Sequence, residues 1–142
     1  MIKVCFICAG NTCRSIMAER LMKKVLKDRK ISDVKISSKG IKANGENIAP
    51  NAKFALKKFK ALSSDRKSVK LKKIDKSTLY VVMSETMKVY LDGGKVISMK
   101  SLIGKDIQDP YGYDEQTYIE TANQILDGIE KLIEKIINWR EK

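Results

Sequence analysis

A short run of branched and apolar side chains, Ile2-Lys3-Val4-Cys5-Phe6-Ile7, passes without a linker into Cys8-Ala9-Gly10-Asn11-Thr12-Cys13-Arg14-Ser15 and then into a helical stripe. The run reads as a buried strand. Met17, Leu21, Met22, Val25 and Leu26 fall at three- and four-residue intervals, so residues 15–30 read as a helix that Ser15 is placed to cap. A strand that turns into a helix over eight residues is half of a βαβ unit, and it restricts the chain to few architectures.

The rest of the sequence repeats the alternation. Residues 34–38 and 78–83 read as strands. Pro50 stands where a helix can begin, with Ala52, Phe54, Ala55, Leu56 and Phe59 behind it. Ser84 is placed to cap a short helix through Leu91, Gly93-Gly94 reads as a turn, and residues 96–99 read as a fourth strand. Residues 101–113 read as a loop. The final helix, residues 114–139, carries Tyr118, Ala122, Ile125, Leu126, Ile129, Leu132, Ile133, Ile136 and Ile137 on one stripe, which reads as core packing. Strands alternating with helices predict an α/β fold, a parallel sheet covered on both faces. In such sheets ligands bind beyond the carboxyl ends of the strands, which is where residues 8–15 fall.

Composition narrows the class. The 142 residues suffice for one core, and 43% hydrophobic with 32% charged residues is a globular balance. No apolar run approaches the roughly 20 residues of a membrane span. The first residues lack the apolar region and small-residue cleavage site of a signal peptide, so a cytoplasmic protein is expected. The formal charge of +12 attracts anions. The lysines, however, are spread along the chain without interleaved aromatics or a nucleic-acid motif, so nucleic acid is not the expected partner. Three clustered cysteines and no histidine suit neither a disulfide framework nor a structural metal site.

What remains for the cysteines is reactivity or burial. A loop closing on a helix N-terminus aims several backbone N–H groups at one point. Gly10 permits positive φ, and Asn11 tolerates left-handed geometry. Arg14 adds a planar fork that holds two oxygens of a phosphate. The expected product is a cradle for a tetrahedral oxyanion, with Cys8 at its base as a thiolate nucleophile and Ser15 donating to the sulfur. The rival is a plain turn around a buried cysteine. Cys5, three residues earlier on the strand, points to the opposite face and reads as core. Cys13 has two open readings, a reversible disulfide partner that shields Cys8 from over-oxidation, or a small packing residue. The leaving group needs an acid, and without histidine the candidates are carboxylates: Asp109, stiffened by Pro110, with Asp106 and Asp114 as rivals.

Cys8-Ala-Gly-Asn-Thr-Cys-Arg-Ser15 followed by Met17-Ala18-Glu19 resembles the signature of the low-molecular-weight protein tyrosine phosphatases. Asp109-Pro110-Tyr111 resembles their general-acid loop, and the strand–helix order fits over nearly the whole chain. The resemblance implies one three-layer domain over residues 1–142, with a four-stranded parallel sheet and the phosphate-binding loop between the first strand and first helix. It implies a cysteinyl-phosphate mechanism without cofactor or metal, acting on phosphorylated proteins and binding phosphate or other oxyanions. Cys8 would be the nucleophile, Arg14 the phosphate binder and Asp109 the acid and later the base. Ala9, Gly10, Asn11, Thr12, Cys13 and Ser15 would form the cradle, with Ser38 shaping it from the Ser37-Ser38-Lys39-Gly40 segment.

Three positions depart from or refine the pattern. Ile16 replaces a usual proline, which a first helical turn tolerates. A histidine that often supports the loop in the family has no counterpart; the matching stretch is Ser64-Asp65-Arg66-Lys67-Ser68, so the support is expected to be supplied differently or to be weaker. Thr12 stands where tyrosine-directed members often carry an aliphatic residue and where related bacterial protein-arginine phosphatases carry threonine. Phosphotyrosine and phosphoarginine are therefore both expected substrates, with Tyr111 and Tyr113 available as pocket walls. An arsenate reductase of the same fold would need relay cysteines, and none follows Cys13. A non-catalytic phosphoprotein-binding module would not need Cys8, Arg14 and Asp109 together.

Overall fold

Four parallel strands, β1 (Ile2–Cys8), β2 (Val34–Gly40), β3 (Thr78–Val82) and β4 (Lys95–Ser98), form one sheet in the order β2-β1-β3-β4. The computed structural model describes residues 1–62 and 65–141. The helices are α1 (Arg14–Asp28), α2 (Pro50–Lys58), α3 (Met99–Ile103) and α4 (Glu115–Arg140), with a 3-10 helix over Glu85–Leu91. Among the described residues no helix is long and apolar enough to cross a membrane.

The side-chain period of two splits β1 between two cores. Val4, Phe6 and Cys8 enter the larger one, with Ile16, Met17, Leu21 and Met22 of α1, Ala52, Ala55 and Leu56 of α2, and Tyr118, Ala122, Ile125, Ile129, Leu132, Ile133 and Ile136 of α4. The apolar stripe of the last helix is core packing, as its spacing predicts. Cys5 and Ile7 face the other way, into a smaller cluster with Tyr80, Val82 and Leu91, the last from the 3-10 helix. Cys5 is thus a core residue, and burial pushes its thiol pKa up.

Several local expectations are corrected. Helix α1 begins one residue early, its cap position is Cys13, and Ser15 caps nothing; its hydroxyl is used in the site. Ser84 stands at the cap of the 3-10 helix without a side-chain capping bond. Residues 101–113 are not all loop. Met99–Ile103 is a helical turn, capped when the Ser98 hydroxyl accepts from the Ser101 amide and closed by Gly104 at φ 82. Five residues are too few for a periodic signal.

The β1–β2 register sets the floor of the site. Ser38 pairs with Phe6, and Gly40 pairs with Cys8. A Cβ at Gly40 would lie 2.7 Å from the Ala9 carbonyl oxygen and 2.8 Å from the Asn11 nitrogen. Only glycine lets β2 run this close beneath the following loop.

Candidate active site

Residues 8–14 wrap the carboxyl end of β1, the place where parallel α/β sheets put their ligands. The loop is fixed by its own backbone. The amides of Ile41 and Lys42 donate to the carbonyls of Cys8 and Ala9, and the Ala49 amide donates to the Thr12 carbonyl. Positive φ falls on Asn11, at 57, and not on Gly10. Gly10 instead lines the cavity, where a Cβ would meet only the Thr12 hydroxyl at 3.6 Å. The amide side chain of Asn11 compensates its left-handed backbone with four hydrogen bonds.

Cys8 lies at the base, 3% exposed. Its sulfur accepts from the Asn11 backbone N–H at 3.2 Å and lies 2.9 Å from the Ser15 hydroxyl. The direction of that second contact follows from Asn11. Asn11 Nδ2 donates to Ser15 Oγ at 2.7 Å, which leaves the hydroxyl proton of Ser15 to point at the sulfur. Two donors therefore converge on Cys8, an arrangement suited to a thiolate.

Arg14 is 5% exposed and lies in the cavity wall. Its Nη1 donates to the Ile107 carbonyl at 2.9 Å and to Ser84 Oγ at 3.1 Å. Ser84 thus serves the arginine rather than the helix it precedes. The second terminal nitrogen, Nη2, lies 3.8 Å from Asp109 Oδ2, an ion pair in the cavity wall. The cradle and the candidate acid face one another.

The three rival carboxylates separate cleanly. Asp106 accepts from the Glu85 amide at 2.9 Å and so holds the start of the 3-10 helix. Asp114 caps α4 by accepting from the amide and hydroxyl of Thr117, which hold its carboxyl below the usual range. Asp109 alone of the three lines the cavity, with Tyr111 beside it. Its side chain is 53% exposed, and Oδ1 accepts from the Tyr111 amide. Tyr113 stays outside the lining, and its carbonyl accepts from Asn51 of α2.

Cys13 turns away into the larger core. Its sulfur lies 3.2 Å from the Tyr118 hydroxyl, and burial pushes its thiol pKa up. All three cysteines are free thiols in this structure, and Cys13 both packs in the larger core and lines the cavity.

The loop is supported by Arg66, within the stretch that matches the family's histidine segment. Its Nη1 donates to Asn11 Oδ1 at 3.2 Å; its Nη2 donates to Ser38 Oγ at 2.7 Å and to Glu19 Oε1 at 3.1 Å. Ser38 in turn accepts from Asn11 Nδ2 and donates to Glu19 Oε1 at 2.8 Å. Glu19 is a buried carboxylate at 3% exposure, flanked also by Arg20 and Lys23. Within residues 64–68, Ser64 lies outside the described residues, and Arg66 supplies the contacts.

The cavity above this floor has a volume of about 860 Å³. It is walled by the loop, by residues 46–50 and Lys53 at the start of α2, and by Lys42, Asp65, Lys67, Asp109 and Tyr111. Thr12 is half-buried in its wall. What the arrangement can do chemically is bind a tetrahedral dianion between amides and Arg14, over a sulfur.

The comparisons with known proteins agree with that geometry. Residues 3–141 match the model of the low molecular weight phosphotyrosine protein phosphatase family. The chain is 30% identical over 139 residues to the low molecular weight protein-tyrosine-phosphatase PtpB of Staphylococcus haemolyticus, covering 92% of this chain and 97% of that one. It is also 30% identical over 146 residues to a protein-arginine-phosphatase of Geobacillus stearothermophilus, covering 94% and 95%. The crystal structure of a low molecular weight protein tyrosine phosphatase from T. tengcongensis superposes with a TM-score of 0.86 at 31% identity, over 95% of this chain and 99% of that one.

Proposed function

Since this chain belongs to the low molecular weight phosphotyrosine protein phosphatases, we propose that it hydrolyses phosphotyrosine or phosphoarginine in proteins through a phosphorylated Cys8. The observation that carries the reading is the sulfur of Cys8 at the base of the loop cavity, receiving hydrogen bonds from the Asn11 amide and the Ser15 hydroxyl. Arg14 and Asp109 stand beside one another in the wall of the same cavity.

In the first step the Cys8 thiolate attacks phosphorus. The S–P bond forms as the P–O or P–N bond to the leaving group breaks, and Asp109 gives its proton to the departing atom. The Arg14 fork and the loop N–H groups hold the equatorial oxygens, whose charge develops in the transition state. In the second step the Asp109 carboxylate takes a proton from water. That water attacks phosphorus, the S–P bond breaks, and phosphate and the thiolate are released. Preorganisation matters here because phosphoryl transfer gains most from positioning and charge stabilisation.

Thr12 bears on which phosphorylated side chain is taken. Its hydroxyl stands in the cavity wall near the loop. A hydroxyl there suits a guanidinium or an ordered water, whereas an aliphatic side chain would pack a phenyl ring. The relatives include both chemistries by name. Direct comparison of turnover on a phosphotyrosine and a phosphoarginine peptide decides the substrate.

The mechanism is tested by Cys8→Ser. Hydrolysis of p-nitrophenyl phosphate is expected to fall by about 10⁴-fold or more, as loss of a nucleophile usually gives. Turnover in that variant near the wild-type rate contradicts the reading.

A further inference from the structure

We infer that Arg66 is a positioning residue for the nucleophile, acting through Asn11 and Ser15 without touching the reacting atoms; the inference rests on the proposed role of Cys8.

The argument begins with the amide of Asn11. A side-chain amide presents an oxygen on one side and an NH₂ group on the other, and reversing it exchanges acceptor for donors. Here Oδ1 faces two donors, the Arg66 guanidinium and the Val69 amide. A reversed amide would set NH₂ against both. Arg66 and the Val69 amide together therefore hold Nδ2 toward Ser15 and Ser38. Ser15 Oγ, once it accepts from Nδ2, has its own proton free for the Cys8 sulfur. Three hydrogen bonds, through Asn11 and Ser15, connect Arg66 to the sulfur, each fixing the direction of the next.

The second part concerns the fork. Arg66 reaches three elements at once: Glu19 on α1, Ser38 on β2 and Asn11 in the loop. A single ammonium group offers a point charge, without two nitrogens held in one plane. The same guanidinium also neutralises the buried carboxylate of Glu19.

The test uses Arg66→Ala and Arg66→Lys with p-nitrophenyl phosphate, with rates divided by the active-site concentration from burst titration. Arg66→Ala is expected to lower kcat about 10- to 100-fold, the size of a small misplacement of a reacting group, with KM changed by no more than about threefold. Arg66→Lys is expected to fall between the alanine variant and wild type. Because the effect passes through Ser15, Arg66→Ala and Ser15→Ala combined should lose little more than the larger single variant. Any of three results overturns the inference: kcat per active site within twofold of wild type in Arg66→Ala, fully additive losses in the double variant, or a loss confined to KM for phosphopeptides. These outcomes leave the nucleophile assignment standing. Wild-type turnover in Cys8→Ser would remove that assignment instead.

Discussion

The two sides of the active site are built in opposite ways. The base of the phosphate loop is buried and tied: Asn11 is fully enclosed, Cys8 is 3% exposed, and the amides of Ile41, Lys42 and Ala49, in the segment between β2 and α2, hold the loop carbonyls. The segment that carries Asp109 is anchored at its ends, by buried Ile107 against Met83 and by Asn51 on Tyr113. Between those anchors Pro110 is buried, but Asp109 and Tyr111 on either side of it are exposed. The difference matches the two tasks. A cradle for charge in a transition state gains from rigidity, since its dipoles then need no reorganisation. A group that meets leaving groups of different shape, and must then admit water, gains from an open position.

Breaking the open side should cost rate without stability. Asp109→Asn is expected to lower kcat about 10²- to 10⁴-fold on substrates with poor leaving groups, and far less on p-nitrophenyl phosphate, whose leaving group scarcely needs a proton. Its stability should stay within about 0.5 kcal/mol, the usual range for an exposed position. Equal losses on good and poor leaving groups would assign the proton to another residue.

The closed side should respond differently. Gly40→Ala places a Cβ against the Ala9 carbonyl and Asn11 nitrogen, so the loop must shift. Rate and stability should fall together, with stability lower by about 1–3 kcal/mol, the usual cost of overpacking. Thermal unfolding alongside kinetics checks this, and a fully stable, fully active variant would show that the loop is not held as tightly as its contacts indicate. The smallest effect is expected where the two sides meet the substrate. Thr12→Ile should raise the ratio of phosphotyrosine to phosphoarginine activity by about tenfold, the scale of one changed pocket contact. An unchanged ratio would exclude Thr12 from selecting the substrate.

The same division explains what the sequence made legible. The β1–loop–α1 unit is local: strand period, Gly-Asn turn and Cys-to-Arg spacing all lie within residues 2–26, and the long stripe of α4 is equally plain. Ser15 was read as a cap because capping is a local rule; the tertiary demand of Cys8 for a hydroxyl overrode it. Ser84 went the same way, taken by Arg14 from across the fold. Arg66 carries no local signal at all, being a charged residue in an aperiodic stretch whose partner Asn11 lies 55 residues away. Gly40 shows its purpose only once the strand register puts it opposite Cys8.

The central claim is that phosphorus passes through the sulfur of Cys8. Rapid acid quench during turnover of a phosphorylated substrate, followed by peptide mass analysis, tests it most directly. The expected result is one phosphoryl group on the peptide containing Cys8, assigned to that residue and absent in Cys8→Ser. Steady turnover with no phosphorylated cysteine at any quench time, or with the phosphoryl group on Cys13, would contradict the account.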